Sequence, residues 1–180
     1  DKNVVKAHIT PLTLINKIKR ITIIRDNKGF NLKKIKYIYP KRKAFSSFKK
    51  FFLLLREGIK KKNDIIISFY LIPHGINSIF IGKIIKRKVV VCLIGTDLNI
   101  HLKRPYAKIL FYVLKKADYI TVTGKKSKEF LLKNGFKKEK VLILPNAINI
   151  NKFKPREKTK LQKEPKKKEP PDADTLRKLF

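Results

Sequence analysis

The sequence predicts an α/β domain in residues 1–155, in which a parallel β-sheet carries helices on both faces. From about Ile21, short β-branched runs alternate with longer stretches of helical periodicity, and this alternation is typical of strand–helix units. The chain has 180 residues, of which 43% are hydrophobic, so it is long enough and apolar enough to build one real core.

Six strands are predicted along this domain. Two of them, in the runs DIIISF and KVVVCLI, are continuously apolar, so we expect these two to be buried on both faces of the sheet. In chain order the predicted strands are Ile21–Arg25, Ile35–Tyr39, Asp64–Phe69, Lys88–Leu93, Tyr119–Thr123 and Val141–Leu144.

Helices are predicted between the strands. The helix before the third strand should pack on the sheet through apolar residues at three- and four-residue steps, namely Phe45, Phe48, Phe52, Leu55 and Ile59. Further helices are predicted over Ile76–Ile85, from Pro105 to Ala117, and over about Lys126–Asn134. Pro105 favours the first turn of a helix, and Gly135 is typical of a left-handed C-cap.

The two ends of the chain depart from this pattern. Residues 1–20 are predicted to form a helix that leads into a strand, whereas an α/β domain of this kind normally begins with a strand, which we expect before Asp1. Residues 156–180 are predicted to be an extended, solvated linker. From Pro155 onward the chain carries four prolines and nine basic residues with almost no apolar spacing.

The net charge of +33 raises the question of nucleic-acid binding. The excess is made of 38 lysines against 8 arginines, spread along the whole chain beside 25 isoleucines and 11 asparagines. All three abundant residues have adenine- and thymine-rich codons, so genomic base composition explains much of the excess. Base-reading surfaces favour arginine forks and stacked aromatics, which are not clustered here. We therefore favour anionic lipid headgroups over nucleic acid as the partner of this charge.

The expected compartment is the cytoplasm, with a peripheral position on the inner face of the plasma membrane if the basic surface binds lipid. Cys92 is the single cysteine and lies in an apolar run, so we expect a buried, reduced thiol. Purely apolar stretches reach only about six residues, well short of the roughly 20 that a spanning helix needs. No metal-ligand spacing, Gly-rich phosphate loop or Walker sequence is present.

Three segments follow strands at the edge where open parallel sheets bind ligands: IGTDLN, TGKKS and PNAININKF. In the first, we expect Gly95 to let the backbone leave the strand in a conformation that other residues disfavour. Thr96 and Asp97 then present a hydroxyl and a carboxylate that could bind a polyol. Alternatively, Asp97 closes an Asx-turn over Asn99, and the local sequence leaves both interpretations open.

The other candidates each have a structural alternative. His74 and His101 are acid–base groups by type, but neither has a carboxylate at a short fixed spacing, so an exposed or capping histidine is favoured. Thr123 is well placed to cap the helix that follows it. Asn146, after Pro145, is a turn signal that could also contact a ligand.

These segments together resemble the N-terminal domain of family-4 glycosyltransferases with the GT-B fold. That family has a strand ending in His-Gly-x-Asp, an Ala-Asp before a strand ending in Ser, a Gly after the next helix, and a strand ending in Pro-Asn-Gly-x-Asp with Phe and Pro soon after. The matching residues, over about residues 64–155, are Gly95, Asp97, Ala117, Asp118, Thr123 in place of the serine, Gly135, Pro145, Asn146, Phe153 and Pro155.

The resemblance implies a Rossmann-like, acceptor-binding half of a retaining glycosyltransferase, with a glycan or lipid-linked acceptor. It implies an acceptor side that includes Gly95 and Asp97, and an interdomain cleft that includes Thr123, Asn146 and Asn149. Thr96, beside Asp97, and His74, at the end of the third strand, are further acceptor candidates by their position. Since the family holds its nucleotide-sugar mainly through a second domain, we expect no tightly bound cofactor and no activity from this chain alone.

The sequence departs from the family pattern in two of the motifs, and two other functions remain as alternatives. Ile94 stands where the family often has a histidine, and Ala147 and Asn149 replace the glycine and aspartate of the last motif. The alternative functions are a membrane-surface module, suggested by the basic, Phe-rich helix over residues 44–62, and a nucleic-acid-binding protein.

Overall fold

A computed structural model describes residues 2–27, 29–30, 32–40, 46–60 and 63–145, with the side chains of residues 2–7, 46 and 47 left out. The chain divides into a compact unit, Asp1–Ala147, and a second unit, Ile148–Phe180. The second unit, and with it the predicted linker 156–180, lies outside the described residues.

Strands and helices alternate along the described chain, and all six predicted strands are confirmed to within about one residue at each end. The predicted helices are confirmed as well, including the one that precedes the first strand, but the helix predicted from Pro105 begins at Ala107, and the short helix α4 was not predicted. The elements are α1 Lys2–Thr13, β1 Ile21–Ile24, β2 Ile35–Ile38, α2 Ser46–Ile59, β3 Ile65–Phe69, α3 Ile76–Ile84, β4 Lys88–Cys92, α4 Gly95–Asn99, α5 Ala107–Leu114, β5 Tyr119–Val122, α6 Lys125–Lys133 and β6 Val141–Ile143.

All strand pairs are parallel, which confirms the predicted fold class, but the strands form two sheets rather than one. One sheet has the order β3-β4-β5-β6, and β1 pairs separately with β2. Within residues 2–145 as described, no strand joins β1 to β3. Phe69, Cys92 and Thr121 are register partners on neighbouring strands, so they form a row across the carboxyl end of the larger sheet.

The two faces of the larger sheet are covered unequally. One face carries the fully buried row of Val91 and Ile120 and packs against α2, α3, α5 and α6. The opposite face contacts α1, where the rings of His8 and Phe69 lie 5.2 Å apart. Helices therefore lie on both faces, as predicted. The expectation that DIIISF is buried on both faces is wrong, because Ile65 and Ile67 remain 47% and 40% exposed.

Helix α2 packs on the core through a stripe that shares only Leu55 with the predicted one. Phe51, Leu54 and Leu55 contact the core, whereas Phe48, Phe52 and Ile59 are exposed; Phe45 lies outside the described residues. Gly58 accounts for the choice of face, because a Cβ there would lie 2.5 Å from Cδ1 of Ile85. The missing side chain lets α2 approach α3 closely on this side.

The end of α6 is the predicted left-handed C-cap. Gly135 has a φ of 78°. Its N–H donates to the carbonyl of Leu132 at 3.0 Å, and the N–H of Phe136 donates to the carbonyl of Leu131 at 3.2 Å. This pair of bonds is the Schellman motif, which satisfies carbonyls that the end of a helix leaves unpaired. Phe136 is buried against the core immediately after it.

Candidate functional site

A pocket lies at the carboxyl end of the larger sheet, where the sequence predicted a ligand edge. The residues that line it come from the ends of β3, β4, β5 and β6 and from α1, and include His8, Phe69, Cys92, Ile94, Thr121 and Thr123. Thr123 is the predicted site residue that lines this pocket. The register row of Phe69, Cys92 and Thr121 forms part of its wall.

Asp97 is the most buried polar residue described, with 1% of its surface exposed. Its Oδ1 accepts a hydrogen bond from the backbone N–H of Leu71 at 3.0 Å, and its Oδ2 accepts one from the N–H of Ile94 at 3.0 Å. Both carboxylate oxygens are thus directed into the protein, and neither partner is the Asn99 of the predicted Asx-turn. Asp97 ties the segment after β3 to the segment after β4 and so positions the loop that carries the neighbouring candidates.

Gly95 and Thr96 lie in the first turn of α4 and are exposed. The expectation that Gly95 needs an unusual backbone conformation is wrong, because Gly95 is the first residue of this helix and does not have a positive φ. A Cβ on Gly95 would meet only Nδ2 of Asn99, at 3.7 Å. The backbone geometry therefore accepts other residues here, and the hydroxyl of Thr96 faces solvent at this end of the sheet.

Tyr70 is a feature of this edge that the sequence did not indicate. It follows β3 with a φ of 68°, a left-handed value that costs a tyrosine free energy. Its carbonyl accepts the N–H of Gly75 at 3.0 Å. A Cβ at Gly75 would lie only 2.9 Å from this carbonyl oxygen, so the turn is tight. Lys34 and Lys86, which precede β2 and β4, also have positive φ values, so the strain at Tyr70 does not by itself mark a functional site.

His74 lies in the same turn, beside an ion pair that joins β1 to α2. Asp26 follows β1 and pairs with Lys50 of α2. Burial lowers the pKa of His74 below its ordinary value, the Lys50 ammonium lowers it further, and the Asp26 carboxylate opposes the shift. The imidazole is therefore neutral at pH 7 and can act as a proton acceptor. His74 does not line the pocket that contains Thr123.

Thr123 does not cap α6. The helix begins at Lys125 with Gly124 at the N-cap position, and no side chain caps it. The prediction was one residue early, because Gly124, with an extended backbone, takes the N-cap position. Thr123 is instead an exposed hydroxyl at the pocket.

Cys92 is the buried free thiol that the sequence predicted. Burial raises the pKa of the Cys92 thiol, and a hydrogen bond with Thr121 partly opposes this. The thiol is thus protonated near neutral pH, and it forms part of the pocket wall as a small apolar group.

The remaining candidates fall into two groups. His101, in the loop after α4, contacts the hydroxyl of Tyr106 through Nδ1 at 3.1 Å. Asn146 and Asn149 lie outside the described residues. In the part of the chain that the structure describes, no group of three or more potential ligands could hold a metal ion, and no helix is long and apolar enough to cross a membrane.

The motif residues Ala117 and Asp118 lie at the opposite end of β5 from the pocket. Ala117 is fully buried. Oδ2 of Asp118 accepts the N–H of Val89 at 2.8 Å, and the N–H of Asp118 donates to the carbonyl of Val89 at 3.0 Å. Asp118 thus joins the start of β5 to the start of β4, much as Asp97 joins two segments at the carboxyl end.

No protein-family model matches the chain, and no curated protein matches it in sequence. Similar solved structures include the UDP-GlcNAc 2-epimerase from Methanocaldococcus jannaschii, with a TM-score of 0.45 and 14% identity over 80% of this chain and 36% of the epimerase. They also include the apo form of the lipopolysaccharide outer core galactosyltransferase WaaB, with a TM-score of 0.46 and 17% identity over 69% of this chain and 35% of the other. The chain spans about a third of the length of each.

Proposed function

We propose that this chain is the acceptor-side half of a retaining GT-B glycosyltransferase, which transfers a sugar from a nucleotide-sugar to a hydroxyl of a glycan or lipid-linked acceptor. The observation that carries the proposal is the carboxyl edge of the larger sheet, where the segments that follow β3, β4 and β5 converge beside a small pocket lined by Thr123. Open parallel sheets bind their ligands at this edge.

The aspartates Asp97 and Asp118, which match the family motifs, support the proposal because each holds two segments of the domain together. Asp97 fixes the loop after β4 and Asp118 fixes the start of β5, each through backbone hydrogen bonds to another segment. Asp97 preserves the shape of the carboxyl edge, whereas Asp118 holds β4 and β5 together at the opposite end of the sheet. The acceptor contacts are then made by neighbouring groups rather than by the buried carboxylate of Asp97.

The proposed acceptor contacts are the exposed hydroxyls of Thr96 and Thr123 and the imidazole of His74. Hydroxyls donate and accept hydrogen bonds, as a sugar hydroxyl requires, and a neutral imidazole accepts a proton from one. The nucleotide-sugar would be held mainly by a second domain, as in the family that the sequence resembles. In the family pattern, the positions of Asn146 and Asn149 belong to the cleft between the two domains.

Acceptor binding can be tested by amide NMR titration of the chain with methyl glycosides of glucose, galactose and N-acetylglucosamine. We expect shifts concentrated at residues 71–75, 94–97 and 121–124, and at least severalfold weaker binding after Thr96→Ala or Thr123→Val. Thr22→Val, in the two-stranded sheet, is the matched control and should bind as the wild type does. Shifts confined to other parts of the chain would refute this location of the site.

A further inference from the structure

Helices α2, α3 and α5 lie on one side of the larger sheet and expose an unusual set of side chains. The helices contact one another in the order α2, α3, α5, and their inner residues belong to the core. Their outer side, here called the outer helix face, presents seven large apolar residues that are each 53–69% exposed. These residues are Phe48, Phe52, Ile59, Phe80, Ile84, Ile109 and Tyr112.

The residues are spaced so that each helix presents its apolar side chains together. Phe48 and Phe52 are four residues apart on α2, and their rings lie 6.4 Å from each other. Phe80 and Ile84 are likewise four residues apart on α3. This spacing places both members of a pair on one side of a helix. The exposure is thus shared by three neighbouring helices and is not limited to one side chain.

Basic residues surround these apolar groups, and acidic residues are almost absent. Exposed cations on the same three helices and their ends are Arg56, Lys60, Lys83, Lys86, Lys108, Lys115 and Lys116. Residues 46–60, 76–86 and 105–117 contain one acidic residue, Glu57, which is buried and bonded to Lys60. The ammonium of Lys116 lies 4.3 Å from the ring centroid of Tyr112, so the charge and the apolar surface are in direct contact.

This combination fits the boundary between lipid headgroups and acyl chains. Phenylalanine and isoleucine enter the acyl boundary, while lysine stems extend along it and place their ammonium groups among anionic headgroups. A nucleic-acid surface would instead favour arginine forks, and Arg56 is the one arginine within the three helices.

We propose that the outer helix face docks the protein on an anionic lipid bilayer, with the three helices lying in the plane of the interface. The contact needs no spanning helix, because several exposed apolar side chains and a positive surface together bind a membrane reversibly. This inference does not depend on the proposed transferase activity.

Vesicle flotation of the full chain tests the proposal. We expect binding to vesicles of 70% phosphatidylcholine and 30% phosphatidylglycerol, and binding at least about tenfold weaker both to pure phosphatidylcholine and at 0.5 M salt, since headgroup attraction is screened by ions. The double variant Phe48→Ala, Phe52→Ala should lose about tenfold or more in partitioning to the anionic vesicles.

The double variant keeps every charge of the chain, so it separates the outer helix face from the basic segment 156–180. Equal binding by the wild type and this variant would mean that charge alone attracts the vesicles, and would overturn the proposal. Equal binding to neutral and anionic vesicles would do the same. Binding to short duplex DNA that the same variant abolishes, without vesicle binding, would replace lipid by nucleic acid as the partner.

Fluorescence gives a second, independent readout, because the chain contains no tryptophan. A tryptophan introduced as Phe52→Trp should shift its emission to the blue when anionic vesicles are added. Tyr119→Trp, on the partly exposed face across the sheet from these helices, is the matched control and should show no shift. A shift at residue 119 without one at residue 52 would place the membrane on the opposite face and refute the inference.

Discussion

Asp97 accepts backbone hydrogen bonds from two segments that lie far apart in the sequence, and this shows what a buried carboxylate does at the edge of a parallel sheet. Leu71 follows β3 and Ile94 follows β4, so one side chain fixes two strand ends relative to each other. The sequence identified the residue and its position after a strand. It did not identify Leu71 as a partner, because that contact spans 26 residues and depends on the order of the strands.

Replacing Asp97 by asparagine should destabilise the fold. The amide nitrogen cannot accept either backbone N–H, so one buried donor loses its partner, at a cost of about 1–3 kcal/mol in the free energy of unfolding. Urea unfolding measures this difference. Thr96→Ala is the matched control at the neighbouring exposed position and should change the stability by less than about 0.5 kcal/mol. If both variants are equally stable, the carboxylate does not hold the two segments together.

His74 should make the stability of the protein depend on pH. Its pKa in the folded state lies below the value of 6.5 for a free imidazole. Between these two pKa values the unfolded chain binds a proton that the folded chain does not, so stability is highest above pH 6.5 and falls as the pH drops through the folded pKa. Urea unfolding at pH 7.5 and 5.5 should show a smaller difference for His74→Asn than for the wild type.

His101→Asn controls for the general loss of a histidine, since it removes an imidazole from a loop away from the Asp26–Lys50 pair. It should leave the difference in stability between the two pH values close to that of the wild type. A His74→Asn variant with the full wild-type dependence on pH would assign the effect to another group.

The helices show which structural features the local sequence pattern determines and which it does not. The C-cap of α6 was predictable because a glycine after a helical pattern satisfies a local backbone requirement. The packing face of α2 was not, because its run of phenylalanines and leucines offers two apolar stripes at helical spacing. Contact with α3 through Gly58 selects one of them, and the other becomes part of the outer helix face.

Gly135→Ala should destabilise the protein by about 1 kcal/mol, because the left-handed φ of 78° disfavours any residue with a Cβ. The new Cβ would also lie 3.1 Å from Nζ of Lys115, which must shift slightly. A thermal melt followed by circular dichroism measures the effect. Gly95→Ala is the matched control without a positive φ and should have a clearly smaller effect. Equal losses in the two variants would contradict the role assigned to the backbone conformation.

At the scale of the whole molecule, the proposed membrane contact and the proposed acceptor site use different surfaces. The outer helix face and the carboxyl edge of the sheet are different surfaces, since one is formed by the sides of α2, α3 and α5 and the other by the ends of strands. A transferase that acts on a lipid-linked acceptor would use both. The two proposals can nevertheless fail independently.

The chain should show neither sugar transfer nor hydrolysis of UDP-glucose, UDP-galactose or UDP-GlcNAc in the presence of the methyl glycosides. The physical reason is that, in the proposed fold, a second domain holds the donor and completes the cleft that excludes water. Release of UDP, followed by a coupled assay, is the measurement. Measurable turnover would show that these 180 residues contain a complete active site and would refute the half-cleft proposal.

Periodicity and residue type were enough to place all six strands, the helices between them except α4, and the edge of the sheet where polar residues gather. These features depend on residues only a few positions apart, so the local sequence is enough to specify them. The packing face of α2, the partners of Asp97, the strained Tyr70 and the division into two sheets arise from contacts between segments distant in the chain. Only the tertiary structure decides among such contacts. Several arrangements of the segments can bury similar apolar area, but the native one also pairs the backbone N–H and C=O groups at the strand ends.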